Sequence, residues 1–74
     1  MSRAPDRPVA LDSSVLASMT YAGEATLDLR FRNGTLYRYF AVPPRVVDGL
    51  VAAPSKGAYF NRHVKTQVRY QRLA

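Results

Sequence analysis

Residues 25–32, ATLDLRFR, alternate strictly, with Leu27, Leu29 and Phe31 on one side and Asp28, Arg30 and Arg32 on the other. A two-residue period of this kind predicts a half-buried β-strand. Residues 13–21, SSVLASMTY, are moderately apolar and rich in β-compatible side chains, so they predict a preceding strand, with the small AGEA segment turning the chain. Asn33 and Gly34 follow as a hairpin turn, because both residue types accept positive φ, and TLYRYFAV returns as a third strand.

The register of that hairpin decides where the tyrosines point, since a slip of one residue inverts every side chain. A two-residue loop at Asn33 and Gly34 sets Leu29 against Arg38, an arginine opposite a core leucine. A three-residue loop of Arg32, Asn33 and Gly34, with Gly34 left-handed, pairs Leu29 with Tyr37, Leu27 with Tyr39 and Asp28 with Arg38. The second register is preferred. It turns Tyr37 and Tyr39 to the core side with their hydroxyls near an edge, and makes Asp28 and Arg38 a cross-strand charge pair. Its weak point is Leu36 beside Arg30.

Pro43 and Pro44 end the third strand, and Pro44 suits the first turn of a helix. Val46, Val47, Leu50 and Val51 have the spacing of a buried helical face, and Pro54 stops it. Ser55 is placed to cap a second helix running to about Lys65, with Gly57, Phe60 and Val64 on one side. A glycine at position 57 implies a close approach, for which packing is the simpler reason. Residues 67–73, QVRYQRL, set Val68 and Tyr70 against Arg69 and Gln71 and predict a last strand with a basic outer face. Residues 1–12, with two prolines and mixed charges, read as a flexible N-terminal tail outside the core. Residues 13–74 then form a single α+β domain: a small antiparallel three-stranded meander followed by two short helices and a C-terminal strand.

Composition narrows the function. The chain has 74 residues, 47% of them hydrophobic, which suits one small packed core. Absence of cysteine and a single histidine, His63, remove disulfides and make a structural zinc site implausible, so no metal or cofactor is expected. Apolar runs are too short for a membrane span or signal peptide, and the expected location is the cytoplasm. The net charge is +6. Up to Asp48, six arginines face five acids; beyond it no acid occurs, and Lys56, Arg62, Lys65, Arg69 and Arg72 stand alone. Such asymmetry marks either a polyanion-binding face or a solvated surface that happens to lack acids.

With the elements placed, FRNGTLYRYFAVP (residues 31–43) and LVAAPSKGAYFNRHV (residues 50–64) resemble the KTSC domain, known as a C-terminal extension of some lysyl-tRNA synthetases and as free-standing small proteins. The resemblance rests on Tyr37 and Tyr39 around Arg38, on Val42 with Pro43, and on Ser55, Lys56 and Gly57 with Phe60 and Asn61 beyond. It implies a compact α+β domain, and its association with a tRNA-charging enzyme implies RNA binding. It carries over no catalytic residue.

The residues themselves offer three candidate sites. On the second helix, Lys56, Tyr59, Arg62 and His63 share a face, with Lys65 beyond them and Arg69 and Arg72 extending it if the last strand lies alongside; a tyrosine among cations can stack a base while the cations hold phosphates. Against this stands a Tyr59 packed at the core margin among solvated cations. Ser55, Lys56 and the amides near Gly57 could hold an anion, although capping explains Ser55 equally well. Tyr37 and Tyr39 could form a stacking platform, but the preferred register makes them core residues, and Pro43 and Phe60 are structural in the same way.

For catalysis the inventory is thin. A triad of Ser55, His63 and Asp48 can be written, as can a metal-independent ribonuclease with His63 as acid or base, Lys56 or Arg62 stabilising a phosphorane and Asn61 positioning substrate. Non-catalytic RNA or other nucleic-acid binding is the preferred expectation. The alternative is a protein-interaction or self-association module using a strand edge or the helix carrying Val46 to Val51.

Overall fold

The computed structural model describes residues 8–23 and 25–74. Five antiparallel strands pair in chain order: β1 (Val9–Ala10), β2 (Leu16–Ala22), β3 (Thr26–Phe31), β4 (Leu36–Tyr39) and β5 (Tyr70–Arg72). Between β4 and β5 lie α1 (Pro44–Ala52) and α2 (Lys56–Phe60), the latter running on as one π-helical turn over Asn61–Lys65. The α+β order of meander, two short helices and closing strand is that expected from the sequence, with one N-terminal strand added.

The hairpin adopts the three-residue loop. Leu29 pairs with Tyr37, Leu27 with Tyr39 and Asp28 with Arg38. Gly34 takes φ 94°, its N–H donates to the Phe31 carbonyl, and the Thr35 N–H is held by Asn33 Oδ1. The pairing of Arg30 with Leu36 is accommodated because Arg30 Nη1 turns away to the Gly34 carbonyl at 3.2 Å.

Two rows of side chains cross the helix side of the sheet: Tyr21, Leu27, Tyr39 and Tyr70, then Met19, Leu29, Tyr37 and Arg72. A break in the β2–β3 register between Leu16 and Ser18 changes the alternation, so Leu16 rather than Ala17 is fully buried. The helices cover these rows with Val47 and Leu50 from α1, Phe60 from α2 and Val64 from the π turn. The stripe of Gly57, Phe60 and Val64 therefore does what its spacing predicts. Gly57 accommodates a side chain: a Cβ there would lie 3.3 Å from Val15 Cγ2.

Two expectations need correction. The tail assigned to residues 1–12 is shorter than that, because Val9–Ala10 pairs with Met19 and Ser18, and Leu11 belongs to the core; residues 1–7 lie outside the described residues. Arg32 fastens this segment, donating to the Leu11 and Ser13 carbonyls at 3.1 and 3.0 Å. Val51, assigned to the buried face of α1, is 47% exposed, because the stripe that packs inward is centred on Val46, Val47 and Leu50 and Val51 falls on its flank. The last strand alternates as expected, with Gln71 on the open side beside Arg38 and Arg69, level with Phe40 by its hydrogen bond, on that side too, while Arg72 lies in the helix-side row with Tyr37.

Candidate nucleic-acid interface

The start of α2 is built by capping. Ser55 is extended (φ −118°, ψ 102°) and its Oγ accepts the Ala58 N–H at 3.4 Å. Lys56 folds back, and its Nζ donates to the Ala53 carbonyl at 2.8 Å, where α1 ends. A cation at a helix C-terminus meets unpaired carbonyls and the negative end of the helix dipole, so this lysine ties α1 to α2. The segment expected to hold an anion, Ser55, Lys56 and Gly57, thus also joins the two helices, with part of the lysine's hydrogen-bonding capacity already committed.

Tyr59 and His63 form a unit one turn apart. Their ring centroids are 4.4 Å apart with planes inclined by 37°. Tyr59 is half-buried because its phenol lies over Gly49 of α1, where a Cβ would collide with the ring. The alternative of a core-margin tyrosine therefore describes Tyr59, while His63 and Arg62 are exposed beside it. Lys65 and Asn61 face another way, onto an open groove of about 770 Å³ that Lys56 also lines. The face expected on the second helix is accordingly divided between the Tyr59 and His63 stack and the groove.

An aromatic edge that sequence reasoning passed over lies along β4 and β5. Tyr70 is 59% exposed and meets the Tyr37 ring edge-on at 5.7 Å and the Tyr39 ring at 5.9 Å. Tyr37 continues inward to Phe31 at 5.7 Å, and Phe31 to Phe60 at 5.3 Å. Tyr39 is buried, and burial pushes its phenol up to about 12, with the neighbouring Tyr37 and Tyr70 phenols adding to the rise. Arg72 flanks Tyr37 on this face, its Nε donating to the Ala74 carbonyl. The alternation of Val68 and Tyr70, which in the sequence predicts only a strand, marks this edge once β5 is known to lie against β4.

Among the described residues the only ion pair is the bidentate one between Arg38 and Asp28, at 2.9 and 3.0 Å on the open side of the sheet. The hydrogen bond to Asp28 raises the Arg38 pKa further. Lys56, Arg62, Lys65, Arg69 and Arg72 have no carboxylate partner among those residues. No hydrogen bond joins Ser55, His63 and Asp48 there either, no group of histidines and acids is gathered as for a metal, and no helix is long and apolar enough to cross a membrane.

The model of the KTSC domain family matches residues 12–70. The chain belongs to the KTSC family. A protein from Stutzerimonas stutzeri (strain A1501) is 49% identical over 67 residues, covering 88% of this chain and 94% of that protein. A lysine–tRNA ligase from Nostoc punctiforme is 38% identical over 64 residues, covering 85% of this chain and only 11% of the ligase. The KTSC match is thus most of one small relative and a minor part of a large one. A crystal structure of a KTSC domain protein from Yersinia pestis superposes with a TM-score of 0.87 at 26% identity, covering 92% of this chain and 97% of that one.

The KTSC residues quoted from the sequence are framework here. Tyr39 fills the core, and Val42 is fully buried with its carbonyl accepting the Tyr21 hydroxyl. Pro43, extended at ψ 152°, launches α1. Ser55 caps α2, Lys56 closes α1, and Gly57 admits Val15.

Proposed function

We propose that this KTSC domain binds single-stranded RNA without transforming it. The observation that carries the reading is the set of cations after Asp48 with no carboxylate partner among the described residues, interleaved with accessible rings. Arg62 beside the stack of Tyr59 and His63, and Lys65 and Arg72 beside Phe31, Tyr37 and Tyr70, combine phosphate neutralisation with ring faces and edges for bases. Arg69 on the open side of the sheet adds to the general field rather than to this face. The lysine–tRNA ligase relatives support an RNA over another polyanion, since the same domain accompanies an enzyme named for tRNA. Labelled single-stranded RNA followed by fluorescence anisotropy tests the reading. Arg62→Glu/Lys65→Glu, both exposed positions, is expected to weaken binding by at least roughly tenfold while leaving the fold intact; absence of binding by the unaltered protein at low salt would remove the reading.

One observation favours self-association as a second reading. β5 is an edge strand and carries Tyr70 and, just beyond, the 38% exposed Leu73. Concentration-dependent sedimentation would support it, and a single species across concentrations would exclude it.

A further inference from the structure

The open groove beside α2 is not explained by packing or by the stack of Tyr59 and His63. It lies between residues 12–15 and residues 54–65 and offers about 770 Å³ of space open to solvent on one side. Its lining is divided by chemistry. Phe31 and Phe60, edge to face at 5.3 Å, give an aromatic floor, with Val15 and Pro54 as further apolar surface. Donors stand around it. The Ser55 hydroxyl accepts from Ala58 and keeps its own proton to give, Lys56 has donated one of its N–H bonds, and the side chains of Asn61 and Lys65 make no hydrogen bond among the described residues. Asp12 is the one carboxylate.

Resting on the RNA-binding reading, we propose that this groove seats a single nucleotide of the bound strand, its base against Phe31 and its phosphate between Lys56 and Lys65. A flat ring suits the aromatic floor, two ammonium groups suit a phosphate, and a lone carboxylate accepts from ribose hydroxyls or an exocyclic amine while repelling the phosphate toward the lysines. Charge complementarity selects the occupant: donors and cations outnumber the single acid, which disfavours a basic peptide. The groove also touches the aromatic edge, because Phe31 meets Tyr37, so a strand leaving it is led toward Tyr70 and Arg72. This places residues 12–14, which the sequence assigned to a tail and a strand end, in the binding surface.

Ser14→Trp tests this without changing charge. Ser14 is exposed, lines the groove and makes no hydrogen bond among the described residues, so an indole there blocks the space. Amide-resolved NMR of the full chain, titrated with uridine 5′-monophosphate, with inorganic phosphate and with a short oligouridylate, locates each ligand and reports whether the variant keeps its fold. The expected result is perturbation of residues 13–15 and 55–61 by oligouridylate and by the mononucleotide. Ser14→Trp should abolish it and lower oligouridylate affinity by roughly tenfold, the loss of one stacked base. Oligouridylate binding that is unchanged in Ser14→Trp, with the groove amides silent, overturns the groove while leaving the RNA reading standing. Groove amides that respond to the mononucleotide but not to oligouridylate overturn the assignment to a strand, and a response to phosphate as large as to the mononucleotide overturns the base contact. Failure of oligouridylate to bind anywhere removes both readings.

Discussion

Tyr21 donates its buried hydroxyl to the Val42 carbonyl, whose own N–H goes to the Ala25 carbonyl at 2.8 Å. This pair of bonds fixes the corner where β4 gives way to α1. Tyr21→Phe leaves the Val42 carbonyl without its partner, and a loss of about 1–3 kcal/mol in urea denaturation is expected. Ala41 at the same corner has φ 58° and an exposed side chain. Glycine adopts that conformation without the steric penalty, so Ala41→Gly is expected to stabilise by roughly 0.5–1 kcal/mol after its entropic loss, and a destabilised variant would show that the methyl packs. Tyr39 gives a pH signature. Its phenol is pushed from 10.0 to about 12 in the folded state, so above pH 10 the unfolded chain releases its proton first. The contribution is complete below pH 10 and is lost as the pH climbs toward 12; the urea midpoint should fall across that window, and less steeply in Tyr39→Phe.

At the scale of elements, α1 and α2 meet where Tyr59 crosses Gly49. Glycine within a helix costs about 1 kcal/mol relative to alanine, yet a Cβ here would run into the Tyr59 ring. Gly49→Ala is therefore expected to leave overall stability within about 1 kcal/mol, helix gain offsetting lost ring contact, while breaking the stack on His63. The ring-current shift of the His63 protons reads this directly, and an unchanged shift would contradict the contact. The hairpin register was legible in the sequence because the competing register opposed Arg38 to a core leucine. Helix limits were legible from Pro44, Pro54 and Ser55. β1 was not, because two residues carry no period, and their place depends on Arg32 reaching the Leu11 carbonyl across the fold. Nor was the shift from α to π winding at Asn61, where no residue type signals the change.

Across the whole molecule, charge and fold are separable. The family framework uses Tyr39, Val42, Pro43 and the joint at Ser55, Lys56 and Gly57, whereas among the described residues the side chains of Arg62, Lys65 and Arg69 make no hydrogen bond or ion pair and that of Arg72 reaches only the Ala74 carbonyl. The cations of the candidate site were visible in the sequence as residues after the last acid. Their grouping was not: Lys65 joins a groove with Ser14, Arg72 joins Tyr70, and Arg69 turns to the other side of the sheet, because all three depend on how β5 and residues 12–15 pack. The most direct test of the account is the salt dependence of single-stranded RNA binding by the unaltered chain. Neutralising three or four phosphates predicts that the logarithm of the association constant falls linearly with the logarithm of salt concentration, with a slope near −0.7 for each phosphate, roughly −2 to −3 in all. A slope indistinguishable from zero, or no binding at low salt, would contradict the claim that these cations are an RNA-binding surface.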